Sequence, residues 1–207
     1  MTKICHITDK KNFLPILQHK GLYSKNKAKS SNISYINIAY EGIQERRADT
    51  IVPISPYGTL HDYVPFYFAP CSPMLYAIKS GIITGYRGGQ EDIIYLVSDI
   101  ESIAANEIPF VFTDGHAIMA FSNFYNQLND LMKIDWKIMN EKYWADTQED
   151  NDRKRRRQAE FLIKDFLPLH LISEIGVMTT DIQNELKTVA FKCGYDKIVH
   201  VKRKWYY

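Results

Sequence analysis

The sequence predicts an α+β domain. Short apolar or aromatic runs bounded by Gly, Pro and charge recur along the chain, and short helical patterns separate them. No Gly-x-Gly-x-x-Gly, no phosphate loop and no His-Glu-x-x-His motif marks a classical dinucleotide fold or a zinc protease. With 207 residues, 45% apolar and 13% aromatic, the chain can bury one substantial core, so a single domain over residues 1–207 is expected.

Lys3 to Ile7 reads as a first strand, and Thr8 or Asp9 caps a helix from about Asn12 to Lys20 that Gly21 ends. Ser24 to Ser34 is polar, basic and serine-rich, which predicts a loop. Ile38 to Arg47 suits a helix with Arg46 and Arg47 near its end, and Pro53 and Pro56 then impose an irregular connection. Val64 to Phe68 is an aromatic strand stopped by Pro70, and Pro73 to Lys79 is a short helix with proline in its first turn. Gly81, Gly85, Gly88 and Gly89 mark turns before a strand at Ile93 to Val97, a helix at Asp99 to Asn106 and a strand at Phe110 to Thr113. Asn123 to Met139 is helical in pattern, and Asn140 to Asp152 is a charged loop. Ala159 to Ile163 reads as a buried strand beginning where a basic loop stops, and His170 to Met178 as another strand. A helix through Ile182, Leu186, Val189, Ala190 and Cys193 runs from Thr180 as cap to Gly194 as stop, and Lys197 to Val201 closes as a strand.

The formal charge is only +2, so affinity for a polyanion must come from local clusters, here Arg153 to Arg157 and Lys202 to Lys204. Cys5, Cys71 and Cys193 are far apart and lack Cys-x-x-Cys spacing, which favours a reducing cytosol. The chain opens without an extended apolar region and holds no window of membrane-spanning length, so neither secretion nor membrane insertion is expected. The six histidines, His6, His19, His61, His116, His170 and His200, include no pair at the spacing that puts two ligands on one helix face, so no metal is expected.

The stretch Arg153-Lys154-Arg155-Arg156-Arg157-Gln158-Ala159-Glu160 sets five cations before one carboxylate at a strand entrance. Held there, Glu160 either faces a cleft in ionised form or neutralises its basic neighbours at the surface. The box from Val64 to Leu75 joins aromatic faces to prolines, an arrangement that stacks a flat ring or simply fills a core. Arg46 and Arg47 are either solvated charges or cations aimed at phosphate or a developing anion.

Together these residues resemble the DarT family of DNA ADP-ribosyltransferase toxins. The resemblance rests on His6-Ile7-Thr8, on Glu45-Arg46-Arg47 followed by Val52-Pro53, and on Phe66-Tyr67-Phe68 with Ser72-Pro73-Met74-Leu75. Asp114-Gly115-His116-Ala117 and Arg157-Gln158-Ala159-Glu160-Phe161-Leu162 complete it. Cys71 departs from the pattern, which has Arg before Ser-Pro-Met.

The resemblance implies an ADP-ribosyltransferase-like fold, with two small, roughly perpendicular sheets forming an NAD+ cleft, and transfer of ADP-ribose from NAD+ to a base of single-stranded DNA. Thymidine is the first expectation and guanosine the alternative. It implies Glu160 as the catalytic glutamate, with Glu160 or His116 as base and Arg47, in preference to Arg46, steadying charge on the acceptor. His6, Thr8, Arg46, Tyr67, Phe68 and Met74 would contact NAD+. Arg153, Lys154, Arg155, Arg156 and Arg157 would belong to a substrate-recognition loop over DNA. A cytoplasmic toxin opposed by the macrodomain antitoxin DarG is the implied biology. Two rivals stay open: a non-catalytic single-stranded nucleic-acid-binding module, and a transferase or NAD+ glycohydrolase that does not use DNA.

Overall fold

The computed structural model describes residues 1–207. Its strands are β1 Lys3–Asp9, β2 Gly21–Tyr23, β3 Tyr63–Tyr67, β4 Ile93–Asp99, β5 Phe110–Thr113, β6 Phe124–Tyr125, β7 Glu160–Lys164, β8 Phe166–Pro168, β9 Glu174–Val177 and β10 Val199–Val201. The α-helices are α1 Phe13–Gln18, α2 Lys25–Ser30, α3 Glu41–Asp49, α4 Pro73–Lys79, α5 Ile100–Ala105, α6 Trp136–Asn140, α7 Arg153–Arg157 and α8 Thr180–Lys192. Eight strands follow the order β10-β9-β4-β1-β3-β7-β5-β6, and β2 pairs with β8 in a separate two-stranded sheet.

The large sheet is two four-stranded halves. β1 runs antiparallel to β4 from Lys3↔Asp99 to Asp9↔Ile93, and β3 to β7 from Tyr63↔Lys164 to Tyr67↔Glu160. Between the halves, β1 and β3 are in register only at Cys5↔Tyr67. Pro65 of β3 has no N–H for a ladder, and its carbonyl is met by His6 Nδ1 at 2.8 Å instead of by a strand. The sheet therefore opens beside Tyr67, and Glu160 sits directly across from that residue.

One large core runs behind both halves, and each half carries a smaller cluster on its other face. All seven residues of β4 are buried, as expected for a strand covered on both faces. Behind β3, β5 and β7, Phe66, Phe112 and Phe161 are fully buried, with the Phe112 and Phe161 rings stacked 6.2 Å apart. The helix α8 adds Ile182, Leu186 and Ala190 to this core, and α4 seats Leu75 and Ile78 against Ile7, Tyr95 and Val97. No helix is long and apolar enough to cross a membrane.

Several expectations needed correction. The first helix ends earlier, because Lys20 takes a left-handed φ of 59° and Gly21 begins β2. The expected loop at 24–34 contains α2: Ser24 Oγ accepts the Lys27 N–H at 3.3 Å, and Ala28 buries the one apolar contact that a lysine-rich helix needs. Residues 123–139 are not one helix, since β6 pairs with β5 and Asp135 then caps α6. The basic run is a short helix, not a loop, and the strand expected at 170–178 is only β9. Thr179, not Thr180, caps α8, its hydroxyl accepting the Ile182 N–H.

Candidate active site

A cavity of about 390 Å³ occupies the opening between the two half-sheets. β1 contributes His6 and Thr8, β3 contributes Pro65 and Tyr67, and β7 contributes Glu160. Gln44 and Arg47 enter from α3, Met74 from α4, and His116 from the connection after β5. Residues 33–40, which carry no regular structure, form another wall with Tyr35 and Tyr40.

Glu160 is 3% exposed. Its backbone N–H donates to Thr113 Oγ1 at 3.2 Å, which pins the strand entrance. Arg47 Nη1 donates to both carboxylate oxygens at 2.8 and 3.1 Å, and the Ala117 N–H donates to Oε1 at 3.2 Å. The acid is therefore paired with an arginine 113 positions earlier and not with the basic run beside it. That decides against the surface reading. A buried carboxylate with its charge met on one side is held rigidly and has little freedom to reorganise.

Arg47 is 7% exposed, and its second guanidinium nitrogen, Nη2, is buried with no partner. An unsatisfied buried N–H is costly, and Arg47 is among the residues that line the cavity. His116 Nδ1 lies 3.7 Å from Glu160 Oε1. Burial pushes the His116 pKa down against the opposing pull of Glu160, so the ring is favoured as a neutral proton acceptor. Burial also holds the His6 pKa down. Because the Pro65 carbonyl can only accept, His6 Nδ1 carries the proton and Nε2 remains an acceptor.

Tyr67 lines the cavity, with its hydroxyl 3.5 Å from Met74 Sδ. Its phenol pKa is pushed up by burial and by Glu160, so it stays a neutral hydrogen-bonding group. Thr8 Oγ1 accepts from Asn12 Nδ2 at 2.8 Å, and the Asn12 amide also bonds both the N–H and the carbonyl of Ile36 at 2.7 and 2.9 Å. Asn12 thus staples the covering segment to β1. On the far side of Arg47, Gln44 Oε1 accepts from Lys25 Nζ and meets His61 Nε2, each at 3.1 Å. Burial, then the charges of Lys25 and Arg47, push the His61 pKa down to about 4. Asn12, Lys25, Gln44 and His61 carry no sequence signal, because their spacing fits no motif.

Other expected site residues lie elsewhere. Phe68 follows Tyr67 on the opposite side of the strand path and is 6% exposed in the core, edge-on to Phe112, Trp136 and Phe161. Arg46 is one helical step from Arg47, points out of the cavity and donates to the Ile118 carbonyl at 3.3 Å. Of the basic run, only Lys154 lines the cavity.

The four arginines of that run make their bonds inside the chain. Arg153 donates to the carbonyls of Tyr143 and Ala145, Arg155 pairs with Asp114 and Asp152, and Arg156 pairs with Asp135 and Asp150. Arg157 is 2% exposed and donates to the carbonyls of Pro70 and Cys71. A guanidinium thus reaches the backbone at Cys71. No three His, Cys, Asp or Glu side chains converge as metal ligands.

Comparison with known proteins gives a consistent picture. A family model described as "ssDNA thymidine ADP-ribosyltransferase, DarT" matches residues 5–207. A Thermus aquaticus (strain ATCC BAA-2747 / Y51MC23) protein named DNA ADP-ribosyl transferase is 43% identical over 210 residues, covering 100% of this chain and 89% of the relative. The solved structure of Thermus sp. 2.9 DarT in complex with ADP-ribosylated ssDNA matches with a TM-score of 0.92 at 40% identity, over 100% of this chain and 96% of that one. The same protein in complex with NAD+ matches with a TM-score of 0.88 at 37% identity, over 100% and 98%.

Proposed function

The chain belongs to the DarT family of DNA ADP-ribosyltransferases, and from that premise we propose that it transfers ADP-ribose from NAD+ to thymidine in single-stranded DNA and acts as a toxin. NAD+ is the co-substrate. The observation that carries the reading is the buried Glu160–Arg47 pair, with an unpartnered Arg47 nitrogen, inside a cavity at the seam of the sheet.

Loss of nicotinamide builds positive charge on the ribose. A fixed carboxylate stabilises that charge more in the transition state than in the ground state, and this is the role of Glu160. The leaving nicotinamide is neutral. Thymine has one ring N–H, flanked by two carbonyls; as the ring nitrogen bonds to the sugar carbon, that proton passes to Glu160 or to neutral His116. Negative charge arising on the thymine carbonyls is met by the free Arg47 Nη2. The sum is thymidine plus NAD+ giving ADP-ribosyl-thymidine, nicotinamide and a proton.

His6, Thr8, Tyr67 and Met74 hold NAD+ along β1, β3 and α4. His6 Nε2 suits a ribose hydroxyl, and Tyr67 suits the nicotinamide ring. Lys154 is the cation of the basic run placed to meet a DNA phosphate. We assign the chain to one domain. Its partner by family relation is the macrodomain antitoxin DarG, and its free cysteines fit action in the cytoplasm.

The test is incubation with NAD+ and single strands carrying thymidine or guanosine as the only acceptor base, read by intact mass. Addition of one ADP-ribose to the thymidine strand supports the reading. Addition to the guanosine strand alone would move the chain to guanosine specificity, and NAD+-indifferent binding with no mass change would make it a binding module.

A further inference from the structure

Resting on that functional reading, the geometry points to Arg155 as a positioning residue that holds the wall carrying His116 and the Ala117 N–H against Glu160, and not as a DNA contact. Arg155 does not line the cavity, and its side chain is 15% exposed. Its guanidinium forks between two aspartates on different segments. Nε and Nη2 donate to Asp152 at 2.7 and 2.6 Å, while Nη1 donates to Asp114 Oδ1 at 3.1 Å and to Ser122 Oγ at 3.2 Å.

Everything that Nη1 touches belongs to the turn after β5. Ser122 Oγ in turn donates to the His116 carbonyl at 2.8 Å, and the His116 N–H donates to the Arg155 carbonyl at 3.0 Å. Asp114 also accepts from the Asn123 N–H and Nδ2 at 3.0 and 2.9 Å, closing the turn. The turn delivers the Ala117 N–H to Glu160 Oε1 and the His116 ring to within 3.7 Å of the same oxygen. Both the backbone and the side chain of Arg155 therefore brace one wall of the site.

Gly115 supplies an independent handle on the same contact. A β-carbon there would lie 2.2 Å from Arg155 Nη1 and 2.9 Å from its Cγ. Gly115→Ala leaves every charge in place and pushes the guanidinium off the turn.

The experiment measures initial rates of thymidine modification for wild type, Arg155→Ala, Gly115→Ala and the double variant, with oligonucleotide KM and the salt dependence of DNA affinity. Both single variants are expected to lose roughly tenfold to hundredfold in kcat, since displacing catalytic groups by about 1 Å costs up to about hundredfold. KM for the strand and the salt slope stay at the wild-type values, since no phosphate contact is removed. The double variant is no slower than Arg155→Ala, because the three atoms nearest the added methyl all belong to the Arg155 side chain.

A Gly115→Ala enzyme at the wild-type rate, or additive losses in the double variant, would overturn the inference. So would an Arg155→Ala enzyme with unchanged kcat, raised KM and a flattened salt slope, because Arg155 would then be a DNA contact. Should Arg155→Ala fail to fold, Gly115→Ala decides by its kcat alone. A wild-type enzyme that leaves DNA unmodified would sink the functional reading itself, and this inference with it.

Discussion

Replacing Arg47 by methionine leaves the Glu160 carboxylate 3% exposed and without its cation. Removing one partner of a buried ion pair costs about 3–5 kcal/mol, because the surviving carboxylate keeps the Ala117 N–H but has no cation and no water to replace it. For a chain of this size each kcal/mol lowers Tm by about 2–4 °C, so the single variant should melt about 6–20 °C lower. Glu160→Gln alone strands the guanidinium and should also destabilise. The double variant Arg47→Met with Glu160→Gln buries no charge, and such replacements are often neutral or stabilising. Its unfolding free energy by urea titration should return to within about 1 kcal/mol of the wild-type value, with a coupling energy of at least ~2 kcal/mol. Yet it should form no ADP-ribosylated DNA. Additive destabilisation would show that the two side chains do not share one desolvated site, and activity in the double variant would show that the pair serves packing alone.

Further outcomes can be checked separately. His61, with its folded pKa near 4, stays neutral while the unfolded chain takes up a proton below about pH 6.5, so it removes stability as pH falls through that window. His61→Gln should flatten the loss of stability between pH 6.5 and 4, on the order of 1–3 kcal/mol, in urea titrations at fixed pH. Phe68→Ala should cost about 3–5 kcal/mol in the same assay while the folded fraction keeps its kcat, because the ring is in the core and not on the cavity wall. Lys154→Ala should reduce the slope of log affinity against log salt for single-stranded DNA by about 0.7, the loss of one phosphate contact. Arg156→Ala should leave that slope unchanged.

Local patterning made the frame of the site legible. The apolar run after Ala159 placed Glu160 at a strand entrance, and Ser72-Pro73 at the start of α4 set that helix from Pro73 to Lys79. Both follow from short-range rules, period and capping. Partnership was not legible. Five cations in a row read as a polyanion site although Asp150 and Asp152 stand just before them, and Asp114 and Asp135 reach them only after folding.

The same limit hid Asn12, whose role depends on Ile36, and the Lys25–Gln44–His61 group, whose members come from three separate segments. Phe68 was misplaced because an aromatic box does not show which side of the strand path each ring takes. Arg47 was preferred to Arg46 with no pattern to decide it, and one helical step places Arg47 on the cavity wall while Arg46 does not line it.

The most direct measurement is the ADP-ribose content of a thymidine-bearing single strand after incubation with NAD+ and the Glu160→Gln variant, compared by mass with the wild-type reaction. Glutamine keeps the shape and removes the charge, so product should fall by ~10²-fold or more while the circular dichroism spectrum is retained. A folded Glu160→Gln enzyme that labels the strand at the wild-type rate would contradict the assignment of that carboxylate to the chemistry.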